Sequence, residues 1–143
     1  MKSHRITGGA MGAIFKVGRK SDGLVMIGKQ VMPDKLDCTK EEAYELIYNE
    51  IGVMMLNKGE SIVTCYDSLE YIDKKGNTNL WMMLEKMDGD MEEIIKLCLE
   101  VDFKYTENFI KYTLYRCLEG LVFLHSKKIL HRDIKSDNLL FNL

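Results

Sequence analysis

The sequence predicts an α+β fold in which a small sheet-bearing half precedes a helical half. Three observations carry this. Short apolar runs separated by turn residues fill positions 6–32. Apolar residues recur at helical spacing across 39–56 and again across 106–126. The order runs strands, one helix, strands, then helices, which builds two unlike layers in turn.

The elements follow in order. Ile6, Ala13–Val17 and Leu24–Ile27 read as three strands. A glycine-rich turn joins the first two. Ser21-Asp22-Gly23 joins the second and third, because Asp-Gly between apolar runs favours a hairpin. Thr39 and Glu42 write a capping box for a helix over 39–56, with Ala43, Leu46, Ile47, Ile51, Met54 and Met55 as its apolar positions. Strands are expected from Ile62 to Asp67 or beyond, and over Leu80–Glu85, with the polar turn Asp73-Lys74-Lys75-Gly76-Asn77 between them. Met87-Asp88-Gly89-Asp90 reads as a linker. A short helix over 91–99 and a long one over 106–126, capped by Thr106, come next. Ile110, Leu114, Cys117, Leu118, Leu121 and Leu124 stripe the long helix, and Leu139-Leu140-Phe141 forms a short strand.

Bulk properties exclude several classes. A chain of 143 residues, 46% hydrophobic and 29% charged, fits one soluble globular domain. Its net charge of −2 supplies no basic field, so no nucleic-acid partner is expected. Cys38, Cys65, Cys98 and Cys117 form no C-x-x-C pair, which argues against zinc and against a disulfide framework. Reduced thiols suit a cytoplasmic location. No apolar stretch follows Met1-Lys2-Ser3-His4-Arg5, so no secretory leader is expected. No run is long enough to span a bilayer, so no membrane partner is expected either.

The residues that bear chemistry sit at both ends. In Thr7-Gly8-Gly9-Ala10-Met11-Gly12-Ala13-Ile14, the glycines would let backbone N–H groups approach phosphate oxygens; an ordinary hairpin turn would use the same residues. Lys29 at a strand end and Glu50 on the first helix could form an ion pair that grips phosphates, or could both be solvated. Leu80-Trp81-Met82-Met83-Leu84-Glu85-Lys86-Met87 suits a core strand, and equally a hinge offering backbone groups to an adenine, with Asp90 on a ribose. The strongest signal is His131-Arg132-Asp133-Ile134-Lys135-Ser136-Asp137-Asn138. It matches H-R-D-x-x-x-x-N, in which the Asp accepts a hydroxyl proton, the Lys neutralises phosphoryl charge and the Asn reaches a magnesium ion. His131 is read as structural.

With these motifs in this order, the chain resembles the eukaryotic protein kinase family over essentially all its length. The lysine two after the Asp marks the serine/threonine type. Asn49-Glu50-Ile51-Gly52-Val53-Met54 and the stretch from His131 to Leu140 are most similar to the sterile-twenty-like and p21-activated group. The resemblance implies a kinase-like fold with a complete N-lobe, a small antiparallel sheet plus one regulatory helix, over 1–85. It implies a hinge at 86–90 and only the first part of the helical C-lobe over 91–143. It implies ATP and Mg2+ as cofactors and a protein substrate bearing Ser or Thr. Catalytic roles would fall to Asp133, Lys135, Asn138, Lys29 and Glu50, with Asn138 the metal ligand. Ile6, Gly9, Gly12, Ile14, Ile27, Lys29, Leu84 as gatekeeper, Glu85, Met87, Asp90 and Leu140 would bind the nucleotide. Arg132 would pair with an activation-loop phosphate.

The departures are as specific. Thr7 stands where the family has a glycine, and Ile27 where it has a small alanine over the adenine, which would crowd the nucleotide. Gly28 would weaken its strand. D-F-G and A-P-E, which the family places after the catalytic loop, are not among the residues. The expectation is therefore a truncated kinase with little or no turnover alone, its long helix leaving an apolar face for a partner. The alternatives are a non-catalytic, pseudokinase-like binding module and, less favoured by Lys135-Ser136-Asp137, a small-molecule kinase.

Overall fold

Strand alternation decides how the first half of the chain folds. The structure is a computed structural model that describes residues 3–9, 12–33, 36–74 and 76–142, with 3–9 and 12 by backbone alone. It divides into two units, one of residues 1–58 and 64–86, the other of 59–63 and 87–143.

The first unit contains β1 (Ser3–Gly9), β2 (Gly12–Gly18), β3 (Val25–Val31), α1 (Lys40–Leu56), β4 (Cys65–Ile72) and β5 (Thr78–Glu85). The strands make one antiparallel sheet in the order β1-β2-β3-β5-β4. Successive side chains leave a strand on opposite faces, so each strand serves two clusters. Val31, Leu80, Met82 and Cys65 turn toward α1, where Ile47 and Ile51 complete a buried core. Val17, Met26 and Met83 form the other cluster, with Phe15, Leu24 and Trp81 beside it. Gly28 belongs to this second face. A Cβ there would lie 3.2 Å from both the Trp81 ring and Val17. The glycine read as a weakness is thus what lets the Phe15–Trp81 ring pair, 5.0 Å between centroids, close over the strand.

Local chemistry fixes the joints. Asp22 Oδ1 accepts from Leu24 N, and Gly23 takes the positive φ of +77° that the hairpin requires. Thr39 Oγ1 accepts from Glu42 N while Glu42 Oε2 accepts from Thr39 N, so the expected capping box opens α1. β4 begins at Cys65 rather than Ile62. Ile62 instead bridges back to Gly59 within the second unit.

The second unit holds β6 (Gly89–Asp90), α2 (Met91–Glu100), α3 (Glu107–Ser126), a 3₁₀ turn at Ser136–Asn138 and β7 (Leu140–Phe141). The supposed linker is half strand: Gly89 pairs with Phe141 and Asp90 with Leu140. Thr106 caps α3 through Phe109 N, as expected. Of the apolar stripe on α3, Leu124 is buried, whereas Ile110, Leu114 and Leu118 are exposed. Gly59–Val63 lies along α3. Ser61 Oγ donates to Glu119 Oε2 at 2.7 Å, Arg116 Nη2 reaches Glu60 O at 3.4 Å, and a Cβ on Gly120 would stand 3.0 Å from Ser61 O. Among the described residues, no helix is long and apolar enough to cross a membrane.

Candidate active site

In the sheet unit, register brings several of the named residues to one face. Ile14 lies opposite Lys29, and Ile27 opposite Leu84. These positions share the face that α1 covers, since Lys29 alternates with Val31 and Leu84 with Met82. Lys29 Nζ donates to Glu50 Oε1 at 2.9 Å. The ion pair posed by the sequence therefore forms, and the lysine side chain remains 28% exposed. A partly exposed pair of this kind holds an amine in place more than it stabilises the fold.

The glycine-rich segment is a hairpin whose ends, Gly9 and Gly12, are register partners; Ala10 and Met11 lie outside the described residues. The β1–β2 register shifts at Ile6. Glu85 N donates to Thr64 O at 2.8 Å, and Glu85 Oε2 accepts from Thr64 N at 3.2 Å. Its amide hydrogen is thus committed within the sheet unit.

In the helical unit, residues of the His131–Asn138 loop converge on one carboxylate. Asn138 Nδ2 donates to Asp133 Oδ2 at 2.8 Å and to Asp133 O at 2.8 Å. Lys135 Nζ stands 3.4 Å from the same Oδ2. Arg132, just before, holds a left-handed φ of +66°, a conformation that costs a non-glycine residue about 1 kcal/mol or more. Asp133 N donates to His131 Nδ1 at 3.3 Å, which gives the histidine its structural part. Both polar neighbours meet Oδ2, and neither of these contacts reaches Oδ1.

The hydrogen bond from Asn138, helped by Lys135 and the more distant His131, holds the Asp133 carboxyl below its ordinary range. A base that stays ionised at neutral pH is the form a proton acceptor needs. Removing the donor should reverse the shift. In Asn138→Ala, the Asp133 midpoint, followed by carboxyl-carbon NMR, should move up toward that of an ordinary aspartate; an unchanged midpoint would remove Asn138 as the cause.

The other named residues of this unit are Met87, Asp90 and Leu140. Asp90 is the N-cap of α2: its Oδ1 accepts from Glu93 N at 2.9 Å, and Glu93 Oε2 accepts from Asp90 N at 3.3 Å. The sequence carries that signal as an Asp with a Glu three residues on, the same box recognised at Thr39. Leu140 sits opposite Asp90 in the β6–β7 pair, and Met87 is half-buried at the start of this unit. No motif singles out one further residue, Glu92. Ser136 Oγ donates to its Oε2, tying the His131–Asn138 loop to α2, and Lys96 lies 3.4 Å from its Oε1. The Ser136 bond leads in lowering the Glu92 titration.

The fit to ATP and magnesium can be judged from donor atoms. Lys29 offers a partly exposed cation already oriented by a carboxylate. With its amide nitrogen given to Asp133, Asn138 has its carbonyl oxygen left, a donor suited to a hard cation. Among the described residues no group of three or more His, Cys, Asp or Glu could hold a metal. Magnesium would then rest on Asn138 and phosphate oxygens, within its habit of taking few protein ligands.

Residues 1–143 match the family described as protein kinase domain. The chain is 33% identical over 138 residues to a probable serine/threonine-protein kinase nek2 of Dictyostelium discoideum, covering 94% of this chain and 32% of that protein. It is 36% identical to the serine/threonine-protein kinase STE20 of Candida glabrata, covering 91% and 14%, and 34% identical to the serine/threonine-protein kinase PAK mbt of Drosophila melanogaster, covering 87% and 19%. The chain thus spans about a third or less of the length of these relatives.

Proposed function

The chain belongs to the protein kinase domain family, and from that premise we propose that it binds ATP with magnesium and serves transfer of the γ-phosphoryl group to a serine or threonine hydroxyl of a protein. ATP supplies the phosphoryl group, and magnesium neutralises its charge. The chain's own residues position and accept. Lys29, braced by Glu50, grips phosphate oxygens from the sheet face. Ile14, Ile27 and Leu84 offer that same face to the base. Asp133 takes the hydroxyl proton at Oδ1, Lys135 offsets developing negative charge, and Asn138 holds Asp133 and would hold the metal. Catalysis of this kind is placement and charge stabilisation rather than covalent chemistry.

The single observation that carries the reading is the Asp133 carboxylate, ionised and held on one oxygen by Asn138 and Lys135. A cytoplasmic location belongs to the same proposal.

Nucleotide affinity, measured by calorimetry with and without magnesium, tests the proposal. Magnesium should tighten ATP binding. Lys29→Met should weaken it by about tenfold or more, the worth of one charge-assisted contact of at least ~1.4 kcal/mol. Equal affinity in both proteins, with no response to magnesium, would end the nucleotide reading.

A further inference from the structure

Helix α1 delivers Glu50 to Lys29, and directional bonds on both of its flanks bear on how it is turned. Ala43, Ile47 and Ile51 are its buried residues, one stripe against the sheet. Apolar contact is non-directional, so a stripe sets which side faces inward far better than the exact rotation about the axis. Directional bonds set the rest. Tyr48 and Glu50 follow Ile47 by one and three positions, which places them on opposite flanks of the stripe. Glu50 reaches β3 through Lys29. On the other flank, Tyr48 Oη donates to Glu70 Oε2 at 2.8 Å. Glu70 lies opposite Leu80 in register, on the sheet face that α1 covers and on the edge strand β4. The Tyr48 ring also stacks on Tyr44 at 6.1 Å, and Tyr44 packs against the core.

The geometry points to Tyr48 and Glu70 as a positioning pair that holds α1 in the rotation at which Glu50 meets Lys29. This rests on the nucleotide reading for its functional meaning, because the Lys29 amine is the group that would grip phosphate. Tyr48 touches no reacting atom and acts only through Glu50. The bond is intact at neutral pH, since the Glu70 carboxylate at its hydroxyl pushes the phenol's titration above the ordinary tyrosine range.

The test reads Lys29 directly. The 143-residue chain is treated briefly with an amine-acylating reagent, and modification at Lys29 is followed by peptide mass spectrometry, with Lys16 on the same sheet as internal reference. An amine held by a carboxylate acylates more slowly than a released one. Tyr48→Phe, which keeps the ring stack, should raise labelling at Lys29 by about two- to fivefold, as a partly exposed pair allows, and leave Lys16 unchanged. Glu50→Gln should give the same rise, and the double variant no more than either. Glu70→Ala should copy Tyr48→Phe, whereas Glu70→Gln, which keeps an acceptor, should label like the unaltered protein. Wild-type labelling in Tyr48→Phe, or a rise in the double variant that multiplies the two single effects, would overturn the proposal. A rise at Lys16 equal to that at Lys29 would overturn it too, since that is general loosening. Protection of Lys29 by ATP and magnesium is scored separately. Its absence, with the variants behaving as expected, would leave the Tyr48 contact standing and remove the nucleotide reading.

Discussion

Phosphoryl transfer to a serine-containing peptide is expected to fall by about 10²–10⁴ when Asp133 is changed to Asn, the loss that follows removal of a positioned base. The substitution keeps the shape of the side chain and deletes its charge. Asn138 and Lys135 would then approach a neutral amide where they now approach an anion. Nucleotide binding should survive, because Asp133 contributes a proton acceptor rather than a grip on phosphate. Single-turnover transfer from γ-labelled ATP at high protein concentration is the appropriate measurement. Transfer that persists undiminished in Asp133→Asn would take this residue out of the chemistry.

The second large effect is on stability. Leu80→Ala should cost about 2–5 kcal/mol, the usual range for a buried leucine whose cavity cannot fully collapse. Leu80 is 1% exposed and packs among Val31, Ile47, Ile51, Cys65 and Met82. A domain has only about 5–15 kcal/mol to lose. Urea unfolding followed by fluorescence of Trp81, the single tryptophan, should show the midpoint fall sharply. The loss reaches the site, since Val31 and Ile51 in this core lie beside the ion-paired Lys29 and Glu50 along their elements. A midpoint shifted by less than about 1 kcal/mol would mean that the sheet and α1 are packed more loosely than their burial indicates.

Much of this arrangement was legible in the sequence because its causes are local. The boxes at Thr39 and Glu42, the Asp22–Gly23 hairpin and the cap at Thr106 each involve atoms a few residues apart, and all are found as read. The convergence of Asp133, Lys135 and Asn138 is local too, which is why so short a motif is so informative. What escaped depends on distant partners. Gly89–Asp90 could not be seen as a strand until Leu140–Phe141 lay beside it. Ile62 and Val63 have the apolar character of a strand opening, and only the affinity of their segment for α3 takes them elsewhere. The reason for Gly28 is a tryptophan on the neighbouring strand. The capping box of Asp90 with Glu93 is local as well, written by an Asp with a Glu three residues on.

The five residues Gly59–Val63 carry a consequence for inheritance. They interrupt the sheet unit in sequence yet belong with α3, so the polypeptide changes unit at three places: after Lys58, after Val63 and after Lys86. One genetic crossover near residue 86 would give a hybrid in which Ser61 and Glu60 meet a foreign helix lacking Glu119, Arg116 and the small Gly120. The halves are therefore poor candidates for shuffling. A lineage that swapped either one would have to rebuild this splice in the same step, which ties the evolutionary fates of the two together.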